Sequence, residues 1–127
     1  MNPDPSAEVR PKNASPNRAS LQIMAQLFKA FSDATRLQLL QALQQKTKKV
    51  GDLVLELGLT QANVSRHLQI LFDAKILRRE KRGTATYYAI NDDFIYPLCE
   101  LICDKINRDY ESREPLEVFL SEDDFSI

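Results

Sequence analysis

Residues 52–72 read DLVLELGLTQANVSRHLQILF, two short apolar-periodic stretches separated by Gly58, Leu59 and Thr60. This segment narrows the choice of folds more than any other in the chain. Asp52 can open a short helix with Leu53 and Leu57 turned inward, and Gly58 is the residue type best able to take the left-handed conformation that ends it. Thr60 can then cap a second helix, in which Val64, Leu68, Leu71 and Phe72 recur at the spacing of one buried side. The remaining face carries Gln61, Asn63, Ser65, Arg66 and Gln69, all able to hydrogen-bond outward. Two helices joined by a tight Gly-containing turn, the second with a polar outer face, form the outline of a helix-turn-helix whose second helix can enter the major groove of DNA.

The flanking sequence extends this outline into a domain. Leu21, Met24, Leu27, Phe28 and Phe31 predict a first amphipathic helix. Ser32 or Asp33 can cap a second, with apolar positions Leu37, Leu39, Leu40 and Leu43, which the stretch KTKKV ends. After the helix-turn-helix, ILRREKRG and TATYYAI predict two strands of a hairpin turning at Arg82, Gly83 and Thr84. Alternation along the first strand sends Arg78 and Arg79 to opposite faces. A fifth helix follows, capped by Asn91, Asp92 or Asp93, with Phe94, Ile95, Leu98, Leu101, Ile102 and Ile106 apolar and Pro97 in its first turn. The fold expected is mainly α with a β-hairpin wing: a winged helix-turn-helix of about five helices and two strands, dimeric through the first and last helices. The wide stripe on the fifth helix is also what a lid over its own subunit's core would need. Residues 1–19, with four prolines, read as a flexible arm, residues 20–109 as the folded domain, and residues 110–127 as an acidic tail, either disordered or a short docking helix.

Composition bounds the function. A chain of 127 residues suits one core, and 43% hydrophobic with 28% charged residues leaves no apolar run near the roughly 20 residues a membrane span needs. With no secretory pattern at the start, a cytoplasmic protein without membrane contact is expected. The net charge of −1 hides segregation: residues 60–90 hold six basic and two acidic residues, whereas residues 91–127 hold three basic and eleven acidic. A net +4 on the helix-turn-helix and wing fits a polyanion, although a solvated hairpin beside an acidic tail would look the same. No phosphate loop, zinc-hydrolase motif or nucleophile elbow is present, and Cys99 and Cys103 are not spaced as Cys-x-x-Cys, so no enzyme is expected. A winged helix used for protein contacts without DNA is the alternative of another class.

The stretches LFKAFSDATRLQLLQAL and DLVLELGLTQANVSRHLQILFDAKILRREKRGTATYYAI resemble the ArsR/SmtB group of bacterial winged-helix repressors. The resemblance spans roughly residues 21–106 and rests on S-D-A-T-R-L at 32–37, Q-x-x-V-S-R-H-L at 61–68 and G-x-x-x-Y-Y at 83–88. It implies a homodimer that binds an imperfect palindrome of double-stranded operator DNA and is released by an inducer. Gln61, Ser65 and His67 match the family's base-reading positions, with Asn63, Arg66 and Gln69 beside them. Lys81 and Arg82, and after them Arg78 and Arg79, are the expected phosphate ligands. A histidine three residues after Val64 also fits a group packed beneath the recognition helix. The wing departs from the family pattern, since Thr84 rather than a basic residue follows Gly83.

The resemblance also directs attention to ligand positions. Where the family's third-helix thiolate site has Cys-x-Cys, this chain has Lys49, Val50 and Gly51. Counting from Asp93, the fifth-helix zinc positions are Ile95, Ile106 and Asp109, and His67 is the only histidine, so no His/Asp zinc site is expected. There remain Cys99 and Cys103, four apart on one face of the fifth helix. Soft thiolates suit As(III) or Sb(III) as inducer, with a thiol-based redox or sulfide response as the rival and burial as small hydrophobes as the third possibility. No resident cofactor is expected.

Overall fold

The computed structural model describes residues 16–111. Five helices and three strands follow one another: α1 (Arg18–Phe31), α2 (Ala34–Gln45), β1 (Lys48–Lys49), α3 (Val50–Leu57), α4 (Gln61–Asp73), β2 (Leu77–Arg82), β3 (Ala85–Ile90) and α5 (Ile95–Glu111). They divide into two compact units, the first ending at Asn91 and the second beginning at Asp92. The expected arm and tail lie mostly outside the described residues, and α1 and α5 each reach two residues past the boundaries expected for the folded domain.

In the first unit each helix begins on a side-chain acceptor or ends on a local carbonyl, which satisfies groups that have no partner within the helix. Asn17 Oδ1 accepts from the Ser20 N–H at the start of α1. Asp33, rather than Ser32, caps α2, accepting from the N–H groups of Thr35 and Arg36 at 2.8 and 3.1 Å. Ser32 instead closes α1, its hydroxyl donating to the Lys29 carbonyl. Helix α3 starts at Val50, two residues before Asp52, and ends on Gly58 at φ +66°, whose N–H returns to Val54. Thr60 caps α4 by accepting from Asn63 N–H. Past the end of α4, Lys75 takes φ +64°, with Lys75 N–H bonded to Phe72 and Ile76 N–H to Leu71, the paired pattern of a left-handed C-terminal cap.

The core joins Leu39, Leu40 and Leu43 of α2, Leu53 of α3, Val64, Leu68 and Leu71 of α4, and Ile76, Leu77, Tyr88, Ala89 and Ile90 around the sheet. Leu37, expected inward, is 48% exposed, standing almost opposite the fully buried Leu39 around α2. The α1 spacing is helical as expected, but Leu21, Met24 and Phe28 lie on the surface and Ala30 is the helix's one buried residue.

The sheet has three strands rather than two, ordered β1-β3-β2 and antiparallel throughout. Strand β1 pairs Lys48 with Tyr88 and Lys49 with Tyr87. Two residues carry no periodicity, so KTKKV reads only as a helix stop; pairing arises because β3 offers a second edge. Lys48 is buried there and donates to Glu56 Oε1 at 2.7 Å. Strands β2 and β3 pair from Leu77↔Ile90 to Arg82↔Ala85 around a two-residue turn. Gly83 takes positive φ at its first position and Thr84 does not, as a type II′ hairpin turn requires.

In the second unit, Asp92 Oδ1 accepts from the Phe94 N–H, and α5 begins at Ile95 with Pro97 in the first turn. Phe94, expected inside the helix, belongs to the turn before it. Among the described residues no helix is long and apolar enough to cross a membrane.

Candidate nucleic-acid interface

Helix α4 sorts its residues by depth. Val64, His67, Leu68 and Leu71 are buried, at the spacing of one helical face. Gln61, Arg66 and Gln69 are exposed, with Asn63 and Ser65 half-buried between the two sides. Of the residues singled out on this helix, His67 is therefore off the outer face. It is 5% exposed, and its Nδ1 lies 2.9 Å from Arg36 Nη1 of α2. The correction follows from helix geometry, since residue 67 stands three positions after Val64 and shares its side. Burial is the chief cause that pushes the imidazole pKa below its ordinary 6.5, with Arg66 and Arg36 acting the same way and Asp33 opposing them.

The outer face is pre-ordered by local bonds. Arg66 Nη2 donates to Asn63 Oδ1 at 2.8 Å, and Gln69 Nε2 to Asp73 Oδ1 at 2.8 Å. Gln69 also accepts from Arg79 of the wing at 2.9 Å, and the same guanidinium lies 3.9 Å from the centroid of the Phe72 ring. A hydrogen bond and a cation–π contact from one side chain thus tie β2 to the last turns of α4. Arg78 diverges from Arg79 as strand alternation demands and donates to the Ile90 carbonyl. Arg82 stacks over Tyr87 at 4.5 Å and pairs with Glu80 at 3.1 Å, an exposed ion pair worth little. Lys81 is exposed and, among the described residues, is engaged in no hydrogen bond or ion pair. The four wing cations are therefore not equivalent: Arg78 and Arg79 serve the fold, while Lys81 and Arg82 stand near the tip.

Two features of the site were not legible in the residues. Arg36 lies inside the S-D-A-T-R-L motif, yet nothing in its spacing shows that it reaches both α1 and α4. The charge that Asp33, legible as a helix cap, brings to bear on His67 is the second. Burial raises the Asp33 carboxyl pKa, but hydrogen bonds from Arg36 and Thr35 N–H and the charges of His67 and Arg36 outweigh this, so it ends below 3.8.

On α5, Cys99 is half-buried and Cys103 exposed, both as thiols. Among the described residues no three His, Cys, Asp or Glu side chains are grouped to hold a metal ion.

Comparison with known proteins agrees with this arrangement. Residues 33–79 match the pattern of the bacterial regulatory proteins of the arsR family. The chain is 41% identical over 81 residues to the arsenical resistance operon repressor of Bacillus subtilis, covering 61% of this chain and 77% of that protein. It is 29% identical over 99 residues to an SmtB-homologous transcriptional repressor of Synechocystis, covering 78% and 74%. Among solved structures, the AntR antimony-specific transcriptional repressor superposes with a TM-score of 0.66 at 30% identity, over 87% of this chain and 98% of that one. A homodimeric winged helix-turn-helix DNA-binding domain of Mycobacterium bovis, a possible ArsR-family regulator, superposes with a TM-score of 0.69 at 25% identity, over 80% and 96%. These relatives are regulators and not enzymes, and the chain belongs with them to the ArsR/SmtB family of winged helix-turn-helix transcriptional repressors.

Proposed function

We propose that this repressor binds its operator as a homodimer, inserting the outer face of α4 into the major groove and laying the β2–β3 hairpin along the flanking phosphates. The observation that carries this reading is the exposed row Gln61, Arg66 and Gln69, joined through Arg79 to a wing whose Lys81 is unengaged. Amide, hydroxyl and guanidinium groups can match the donor and acceptor pattern of base edges, so Gln61, Asn63, Ser65 and Arg66 read sequence. Lys81 and Arg82 supply register and affinity through phosphate. Gln69, already bonded to Asp73 and Arg79, acts chiefly by holding the wing.

The inducer is trivalent arsenic or antimony, taken by Cys99 and Cys103, which the α5 helix stacks on one face. Two relatives named for arsenical and antimony response support that chemistry. A third thiolate comes from the partner subunit or a small thiol. An uninterrupted helix runs through both cysteines, and i,i+4 Cβ atoms about 5–6 Å apart are too far for an unstrained disulfide, which favours a bridging metalloid over a disulfide switch.

The test is fluorescence anisotropy of the reduced protein on its own upstream DNA, repeated with arsenite, antimonite, zinc and a persulfide donor. Release by arsenite or antimonite, lost in Cys99→Ser and Cys103→Ser, is the expected result. Tight binding that none of them moves would return the cysteines to a packing role, and absence of salt-sensitive DNA binding would leave a protein-interaction module.

A further inference from the structure

Arg36 stands in the first turn of α2 and reaches two other helices. Its Nε donates to the Ala30 carbonyl at 2.7 Å and its Nη2 to the Lys29 carbonyl at 3.3 Å, both in the last turn of α1, where helix carbonyls lack partners of their own. Its remaining arm, Nη1, lies 2.9 Å from His67 Nδ1 on the buried side of α4. A guanidinium has donors only, so Nδ1 must accept, and the neutral ring carries its proton on Nε2. One side chain therefore fastens the end of α1 to the helix that faces outward with Gln61, Ser65 and Arg66.

We propose that Arg36 and His67 are positioning residues for DNA recognition: without touching DNA, they fix how α4 presents its outer face by fastening it to the last turn of α1. The proposal rests on α4 being the DNA-reading helix. It gives a reason for a titratable ring at a core position where a leucine would pack as well. The tie survives only while His67 is neutral, because protonation makes Nδ1 a donor facing a donor. The charges that bear on the ring are Asp33 and Arg36 from α2 and Arg66 from α4, and α1 brings the carbonyls of Lys29 and Ala30 to the same cluster. Burial keeps the ring neutral down to a pH below 6.5. Unfolded histidine protonates near 6.5, so the stability held by the neutral ring is whole above that value and is lost as pH falls through the lower folded value.

The chain has a single histidine, so its imidazole gives one unambiguous set of signals in a long-range ¹H–¹⁵N spectrum. The expected spectrum is the Nε2–H tautomer with a midpoint below 6.5. In operator titrations His67→Asn, which keeps a non-titrating acceptor near the Nδ1 position, binds like the wild type at neutral pH. It loses the wild-type decline in affinity that sets in as pH falls below 6.5 and through the imidazole midpoint. His67→Leu, which leaves an Arg36 donor unpaired, binds about tenfold more weakly than the wild type at neutral pH, the size of one lost hydrogen bond to a charged group, and shows no decline of its own as pH falls. An Nδ1–H tautomer titrating at the ordinary value, or wild-type affinity in folded His67→Leu, would overturn the proposal. Should His67→Leu fail to fold, the pH profile of His67→Asn decides, since a retained decline overturns it equally. A wild type that binds no operator at any pH would instead remove the proposed function, while the tautomer and midpoint would still report on the tie.

Discussion

Gly58 and Lys75 occupy the same left-handed conformation, at φ +66° and φ +64°, and close α3 and α4 respectively. Glycine takes it without steric cost, whereas a residue with Cβ does not. Open space surrounds the position a Cβ would take at Gly58, so the strain of Gly58→Ala is purely conformational. Thermal melts are expected to show Gly58→Ala destabilised by about 1 kcal/mol and Lys75→Gly stabilised by a similar amount, both without change in operator specificity. A melt unchanged in both would show that these turns relax out of the left-handed region. Gly58 was readable from the residues because glycine announces its conformation. Lys75 was not, because lysine has no such preference and is held there by the bonds of Lys75 and Ile76 N–H to α4 carbonyls and of Asn91 Nδ2 to the Lys75 carbonyl. Arg36 and His67 belong to the same class. Their motifs stood out in the sequence, but a bond across 31 positions has no signature in spacing.

At the scale of elements, long periodic stretches were the most legible. Each of the five helices lies where its apolar spacing places it, with ends shifted by a residue or two, because fraying and capping geometry depend on neighbours. The short strand β1 was invisible, since a two-residue strand is defined by its partner edge and not by its own residues. The wing shows how pairing sorts residues of one type. Arg79 is held against Phe72 and Gln69, while Lys81, two positions on, is unengaged. Removing a phosphate ligand weakens binding to all sequences alike, whereas removing a base-reading group relaxes specificity at one position. Lys81→Ala is therefore expected to lower affinity equally for operator and random DNA and to reduce the slope of log affinity against log salt by about 1. Gln61→Ala is expected to leave that slope unchanged while narrowing the gap between operator and a singly substituted site. Slopes that change in the opposite sense would reverse the two assignments, and they are read from binding isotherms at several salt concentrations.

At the scale of the whole molecule, α1 displays Leu21, Met24 and Phe28 at 51%, 42% and 57% exposure, the apolar side of an amphipathic helix. In the homodimer proposed above, a second copy covers this side. Phe28→Glu would put an unpaired carboxylate into that interface, at a cost of about 3 kcal/mol or more. Sedimentation equilibrium is expected to show dimer dissociation about a hundredfold or more easier in this variant. Leu55→Glu on α3, at a residue 84% exposed, is the control expected to dimerise normally. Equal dimerisation of the two would move the interface away from α1. The order of the five helices and the wing, the helix-turn-helix and the buried side of α4 were determined by the sequence itself, because they depend on local periodicity and on turn residues with strong conformational preferences. Only the tertiary structure decided that Arg36 joins α1 to His67 on the buried side of α4, that Lys48 is buried against Glu56 in a third strand, and which wing cations are already engaged. Those outcomes depend on which groups far apart in the chain meet in space, where polar side chains must find partners once they leave water, and no spacing along the chain encodes that choice.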